Sequence, residues 1–301
     1  RHADQAMYAA KEKGRNQFYI FDPGQYAFRK ERRNLLMEIS RALENEEFEL
    51  YFQPQLRMAD CQVIAFEALI RWNHPEKGLI TPDAFLPAVA NSHLEIPLGQ
   101  WVLKEAIHQM NRWREAGEAL GVSINISAPH LMDRKFADYL EGYLQSHPEV
   151  SPGQITLEVL ESTALEDTKR ASNVLARCQS LGLQVALDDF GTGFSSLTYL
   201  RTLPVDVIKI DQSFVRNMLT DANDRAIVES VIFLAQRFDH PVLAEGVETM
   251  DHAAALRDMG CNLVQGYGIA RPMPSGEVLE WLQNWRRQVE SRKEIQQLQA
   301  A

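Results

Sequence analysis

The sequence predicts an α/β protein built as a TIM-like (β/α)8 barrel, and three observations predict it. Short apolar runs alternate with longer amphipathic segments over residues 47–285, the rhythm of strand and helix in turn. Nearly every run carries a polar residue within it or at its end, as barrel strands do where they converge on one face. The chain has 301 residues, enough for one such barrel plus extensions.

The elements follow in order. Residues 2–13, HADQAMYAAKEK, are rich in helix formers and stop at Gly14, and NQFYIFD after them reads as a strand; the pair is too small to bury a core alone. Residues 23–46 are charged and carry leucines, which predicts a linker helix. Eight strands are then expected near 49–53, 62–70, 122–126, 154–159, 183–187, 205–210, 241–244 and 262–265. Among the helices between them, one presents Leu98, Val102, Ala106, Met110 and Trp113 on a single stripe, and another presents Ile227, Val231, Leu234 and Phe238. Residues 286–301 read as a helical extension.

Composition narrows the function. With 45% hydrophobic and 24% charged residues, the chain is neither disordered nor collagen-like. A formal charge of -10 disfavours a nonspecific binder of DNA or RNA, because phosphate backbones need a basic face. Cys61, Cys178 and Cys261 form no CxxC pair, which fits a reduced cytoplasmic compartment and small buried apolar roles. No apolar run reaches the roughly 18 residues of a membrane helix, so this fragment is expected to make no membrane contact. It opens on Arg with no signal-peptide pattern, as a piece of a longer parent would, and any membrane anchor is left to that parent.

The polar residues in the runs are the candidate site. Glu67 interrupts AFEAL, Asn125 sits in SINIS, Glu158 ends ITLE, Asp188 and Asp189 follow QVAL, Lys209 sits in VIKID, Glu245 ends PVLAE and Gln265 ends NLVQ. Each alone has a structural explanation. The Asp doublet before FGTG suits a turn or helix cap, Glu67 a buried pair with Arg71 or Lys209, Asn125 a satisfied core amide and Lys209 a counter-ion. Together they crowd five acids into one mouth, where all cannot ionise without cations. An oxygen-only donor set points to Mg2+ or Mn2+, and an acid doublet lets one carboxylate bridge two ions about 3.5–4 Å apart. Phosphodiester hydrolysis is the natural reaction. His74 and His147 each precede proline and read as turn residues, without catalytic roles.

The motifs FEALIRWNHP, INIS, ITLEVLEST, LDDFGTGFSSL, VDVIKIDQSFV, LAEGVET and QGYGIARPMP, in this order over roughly Glu47 to Pro274, resemble the EAL family of cyclic di-GMP phosphodiesterases. ADQAMYAAKEKGRN resembles the C-terminal end of a GGDEF diguanylate cyclase domain, whose body is not in this sequence; residues 1–22 are expected to be that remnant.

The resemblance implies that Glu67, Asn125, Glu158 and Asp188 hold a first cation, and that Asp188 bridges to a second completed by Asp189 and Glu245. It places Lys209 at the attacking water and scissile phosphate, with the proton going to Lys209 or Glu245. It implies substrate contacts from Gln53, Arg71, Asp211 and Gln265, and loop anchors at Glu161 and Glu248. It also implies a first strand antiparallel to the rest, a homodimer, and conversion of cyclic di-GMP to linear pGpG in bacterial signalling that controls biofilm formation. The chain departs from the family pattern at His130, where Asn-x-Ser-x-x-Gln carries glutamine, and at Ala90, Asn91, Ser92 and His93. The alternative is a non-catalytic cyclic di-GMP receptor, although such receptors usually lose acids that this chain retains.

Overall fold

The computed structural model describes residues 23–192 and 202–300. The expected helix at 2–13, the strand after it and the later part of the FGTGFSS loop lie outside these residues. In chain order the described elements are α1 (Pro23–Glu44), β1 (Phe48–Arg57), β2 (Gln62–His74), β3 (Gly78–Ile80), α2 (Pro82–Val89), α3 (Glu95–Glu115), β4 (Gly121–Ile126), α4 (Ala128–Leu131), α5 (Phe136–Ser146), β5 (Ile155–Leu160), α6 (Glu161–Glu166), α7 (Thr168–Ser180) and β6 (Gln184–Phe190). After the undescribed stretch come β7 (Val207–Ile210), α8 (Gln212–Asn217), α9 (Ala222–Arg237), β8 (Val242–Ala244), α10 (Met250–Asp258), β9 (Leu263–Val264), β10 (Met273–Pro274) and α11 (Val278–Ala300). Two compact units result, one from residues 23–48 with 72–94, the other from 49–71 with 95–300.

In the first unit, α1 occupies the stretch expected to be a linker helix, and it buries Ile39 and Ala42 completely. Arg32 caps the end of α2 by donating to the carbonyls of Ala88 and Ala90. Phe48, Trp72 and Phe85 form an aromatic cluster with centroids 5.6–5.9 Å apart, and the Trp72 indole donates to Glu47 at 3.0 Å. His74 has the expected turn role, its Nδ1 accepting from the backbone N–H of Glu76 and Lys77.

The second unit is a closed barrel in the order β1-β2-β4-β5-β6-β7-β8-β9, with β9 pairing back onto β1. The strands β2 and β4 to β9 run parallel, while β1 is antiparallel to β9. The reason is the short 58–61 turn between β1 and β2, since a parallel pair needs a crossover of a dozen residues or more. Odd and even residues divide the labour: Val122 and Ile124, Leu157 and Val159, and Ile208 and Ile210 are all buried apolar side chains, whereas the alternate positions Ser123, Glu158 and Lys209 are polar.

Three details differ from expectation. Cys61 is exposed and sits at φ 58° in the 58–61 turn, unlike buried Cys178 and Cys261, because a tight turn projects its side chain away from the core. The buried stripe of α9 is Val228, Val231, Ile232 and Ala235, rotated from the expected one, and Phe233 is exposed. Two short strands, β3 and β10, were not expected; each pairs antiparallel to an end of a longer strand.

Candidate active site

At the end of β6 the pairing with β7 shifts register between Leu187 and Phe190, and Asp189 adopts φ 52°. In a regular strand, consecutive side chains point to opposite faces. The irregularity re-aims the second acid, so that carboxylate oxygens of Asp188, Asp189 and Glu245 come within 4.8 Å of one another. Glu245 follows β8 directly, its N–H bonded to the Ile210 carbonyl at 3.2 Å, and Gly246 after it turns at φ 71° where a Cβ would strike Gln212.

Lys209 on β7 lies at the centre. Its Nζ is 2.7 Å from Glu158 Oε2, 2.7 Å from Glu245 Oε1 and 3.1 Å from Asp188 Oδ1. A second cluster surrounds Glu67: Asn125 donates to its Oε1 at 2.7 Å and Gln265 to its Oε2 at 2.6 Å. The Gln265 amide also donates to Gln53 Oε1 at 3.0 Å, and Gln53 donates onward to the Ala270 carbonyl. Glu67, Glu158, Asp188, Lys209, Gln53 and Gln265 are buried, while Asn125 is exposed at the mouth.

The charges do not balance. Burial pushes the Glu158 carboxyl well above the usual range, and neighbouring Glu67, Asp188 and Glu245 add to the rise against the pull of Lys209. Burial, with Asp188 and Glu67 behind it, lifts Glu245 to about 8. Burial and then the charges of Asp188 and Asp211 lift Asp189 to about 6. At Glu67 burial is outweighed by Lys209, Gln265 and Asn125, which hold it below the ordinary value. Burial disfavours the Lys209 ammonium, but the surrounding acids outweigh it and raise the lysine well above its usual range. Among the described residues Lys209 is the cation paired within this group of five carboxylates, and the unmet negative charge, offered on oxygen donors alone, fits hard divalent ions.

The remaining expected residues are placed as follows. Glu161, first in α6, accepts the Gly191 N–H at 3.2 Å and so ties down the start of the loop after β6. Glu248 pairs with Arg216 at 3.2 Å and is half-exposed. Asp211 caps α8, accepting from the Ser213 N–H at 3.0 Å. Arg71 lies over the Tyr51 ring at 5.3 Å. Two polar residues that the sequence reading passed over are Gln55 and Ser123, buried beside Glu158. Period-two spacing was the available signal: Gln55 shares a strand face with Gln53, and Ser123 with Asn125.

A parallel barrel with one reversed strand, five acids and a buried lysine at one mouth defines a class of acid-lined α/β-barrel proteins. Within that class, residues 37–272 match the EAL domain, and the chain belongs to that family. It is 38% identical over 279 residues to the bifunctional diguanylate cyclase/cyclic di-GMP phosphodiesterase MucR of Pseudomonas aeruginosa, covering 92% of this chain and 41% of that protein. It is 39% identical over 286 residues to the cyclic di-GMP phosphodiesterase PdeR of Escherichia coli, covering 95% of this chain and 43% of that protein. The chain therefore spans about two-fifths of the length of these curated relatives. Among solved structures, the MucR phosphodiesterase in complex with c-di-GMP superposes with a TM-score of 0.78 at 37% identity, covering 81% of this chain and 99% of that one.

Proposed function

We propose that this barrel is a metal-dependent phosphodiesterase that opens cyclic di-GMP to linear pGpG. The observation that carries the reading is the gathering of Asp188, Asp189 and Glu245 beside a lysine-centred acid cluster, in a chain of the EAL family. Glu67, Asn125, Glu158 and Asp188 would hold one Mg2+ or Mn2+ ion, and Asp188, Asp189 and Glu245 a second. Such ions supply Lewis acidity at phosphate oxygens and lower the pKa of water. The chain's own groups do the rest. Lys209, ringed by three carboxylates, is a hydrogen-bond donor that orients the attacking water or a phosphate oxygen. Arg71 supplies a guanidinium for phosphate, and Gln53, Asp211 and Gln265 supply polar contacts for the bases or ribose.

Glu161 and Glu248 serve as anchors that set the loop after β6 and the segment after β8. Residues 1–22 are the end of a preceding GGDEF domain, and the protein works as a cytoplasmic homodimer without nucleic-acid partners. The described helices include none long and apolar enough to cross a membrane. The test is incubation of the chain with cyclic di-GMP and Mg2+ or Mn2+, followed by chromatographic separation of the nucleotides. Linear product from wild type and none from Glu67→Ala supports the reading. Ligand binding without product at any metal concentration would leave a receptor instead.

A further inference from the structure

The barrel interior is unusual on the side away from the acid mouth. In most barrels this layer is filled by Val, Ile and Leu. Here the inward positions include Ala65, Gly121 and Ala186, and they leave a cavity of about 560 Å³ at the N-terminal ends of the parallel strands. Its rim carries Gln154, Thr156 and Gln184, and its inner wall is formed by Gln55, Ser123, Glu158 and Lys209.

On that wall the side chains form one hydrogen-bonded line. Ser123 Oγ donates to Gln55 Oε1 at 3.2 Å, and Gln55 Nε2 donates to Glu158 Oε1 at 3.3 Å. Lys209 takes the other oxygen, Oε2. In this orientation the Gln55 NH2 faces Glu158 and its carbonyl is left to accept from the Ser123 hydroxyl. The exposures of Ser123, Gln55 and Glu158 are 1%, 4% and 1%, so an unmade bond here would leave a buried polar group without compensation.

We propose that Gln55 and Ser123 are positioning residues for Glu158, and that water reaches them through this cavity from the N-terminal end of the parallel strands. A roomy polar cavity with several donors and acceptors suits ordered water. Gln55 pins the Glu158 oxygen that Lys209 does not hold, which fixes the rotation of a carboxylate expected to face a cation. The cation part of this inference rests on the proposed function; the hydrogen-bonded line does not.

The test uses the full chain and two readouts. In the metal-free protein, nitrogen-15 spectra should show the Gln55 side-chain amide shifted by Ser123→Ala and exchanging magnetisation with water. Calorimetric titration with Mn2+ should then show Gln55→Met, which keeps length and loses both bonds, weakening affinity about tenfold, as loss of a ligand's outer partner does. Ser123→Ala should weaken it less, Ser123→Thr should restore it, and the double variant should match Gln55→Met alone. Folded Gln55→Met protein with wild-type Mn2+ affinity would overturn the positioning role. A Gln55 amide silent to Ser123→Ala or sealed from water would overturn the line or the entrance. If wild type itself binds no divalent cation, the proposed function falls, and the amide spectra still decide the line.

Discussion

Lys209 Nζ lies 2.7 Å from Glu158 Oε2, and each side chain is only 1% exposed. Breaking such a pair by removing one partner strands a buried charge, which costs about 3–5 kcal/mol. Lys209→Met in the metal-free chain should therefore lose about that much stability at pH 8, read from urea unfolding. The loss should shrink at pH 5, where the freed acids take up protons. Under the proposed function, hydrolysis should also fall by about 10²–10⁴, the range for a positioned proton-handling group.

The acids around this lysine predict a linkage between cations and folding. Asp188, Asp189 and Glu245 are close enough to share an ion, and only the folded chain assembles them. Added Mg2+ should raise the melting temperature, with a stabilisation of about 2.7 kcal/mol at a hundredfold excess over Kd. Asp188→Asn should flatten this response more than Asp189→Asn, because the proposed function assigns Asp188 to both ions and Asp189 to one. A melting temperature insensitive to Mg2+ over a wide range would count against the site.

Gly99 predicts a reversal of a familiar trend. Glycine inside a helix normally costs roughly 0.5–1 kcal/mol relative to alanine. Gly99 lies in α3, yet a Cβ there would collide with the His130 ring, and His130 is only 1% exposed. Overpacking wins, so Gly99→Ala should destabilise by about 1–3 kcal/mol. His130→Ser in the same chain should recover most of that loss, as a double-mutant cycle on chemical unfolding would show.

Much of this was legible in the sequence, and what was missed has physical causes. The eight barrel strands are readable because each is a short apolar run ending on turn residues. The Asp188–Asp189 doublet was visible as chemistry, but alternation would send the two acids to opposite faces. The register shift against β7 that brings them together is a tertiary event, written in pairing rather than composition. Gln55 carries no charge and passed as an ordinary strand residue; its meaning depends on Ser123 and Glu158, which lie far away in sequence. The α9 stripe was misplaced because two overlapping spacings share Val231, and packing alone selects the one through Val228 and Ile232. Cys61 was expected in the core on residue type alone, and the tight turn at φ 58° that exposes it is a matter of backbone geometry.

His130 carries the pH prediction. Its ring lies edge-on to Phe136 at 4.8 Å, and neither ring nitrogen has a hydrogen-bond partner among the described residues. Burial outweighs the nearby Asp133 charge and pushes its pKa down to about 4, from 6.5 when exposed. The sign follows directly. Between these two values the unfolded chain binds a proton that the folded chain refuses, so stability is full above pH 6.5 and is lost as pH falls toward 4. The shift corresponds to a loss of up to about 3 kcal/mol across that window. His130→Gln, the residue that the family pattern carries at this position, removes the titration. Urea unfolding at pH 7.5 and pH 4.5 should show the wild type losing more stability on acidification than the variant. Parallel pH profiles for the two proteins would mean that His130 accepts its proton without leaving the fold.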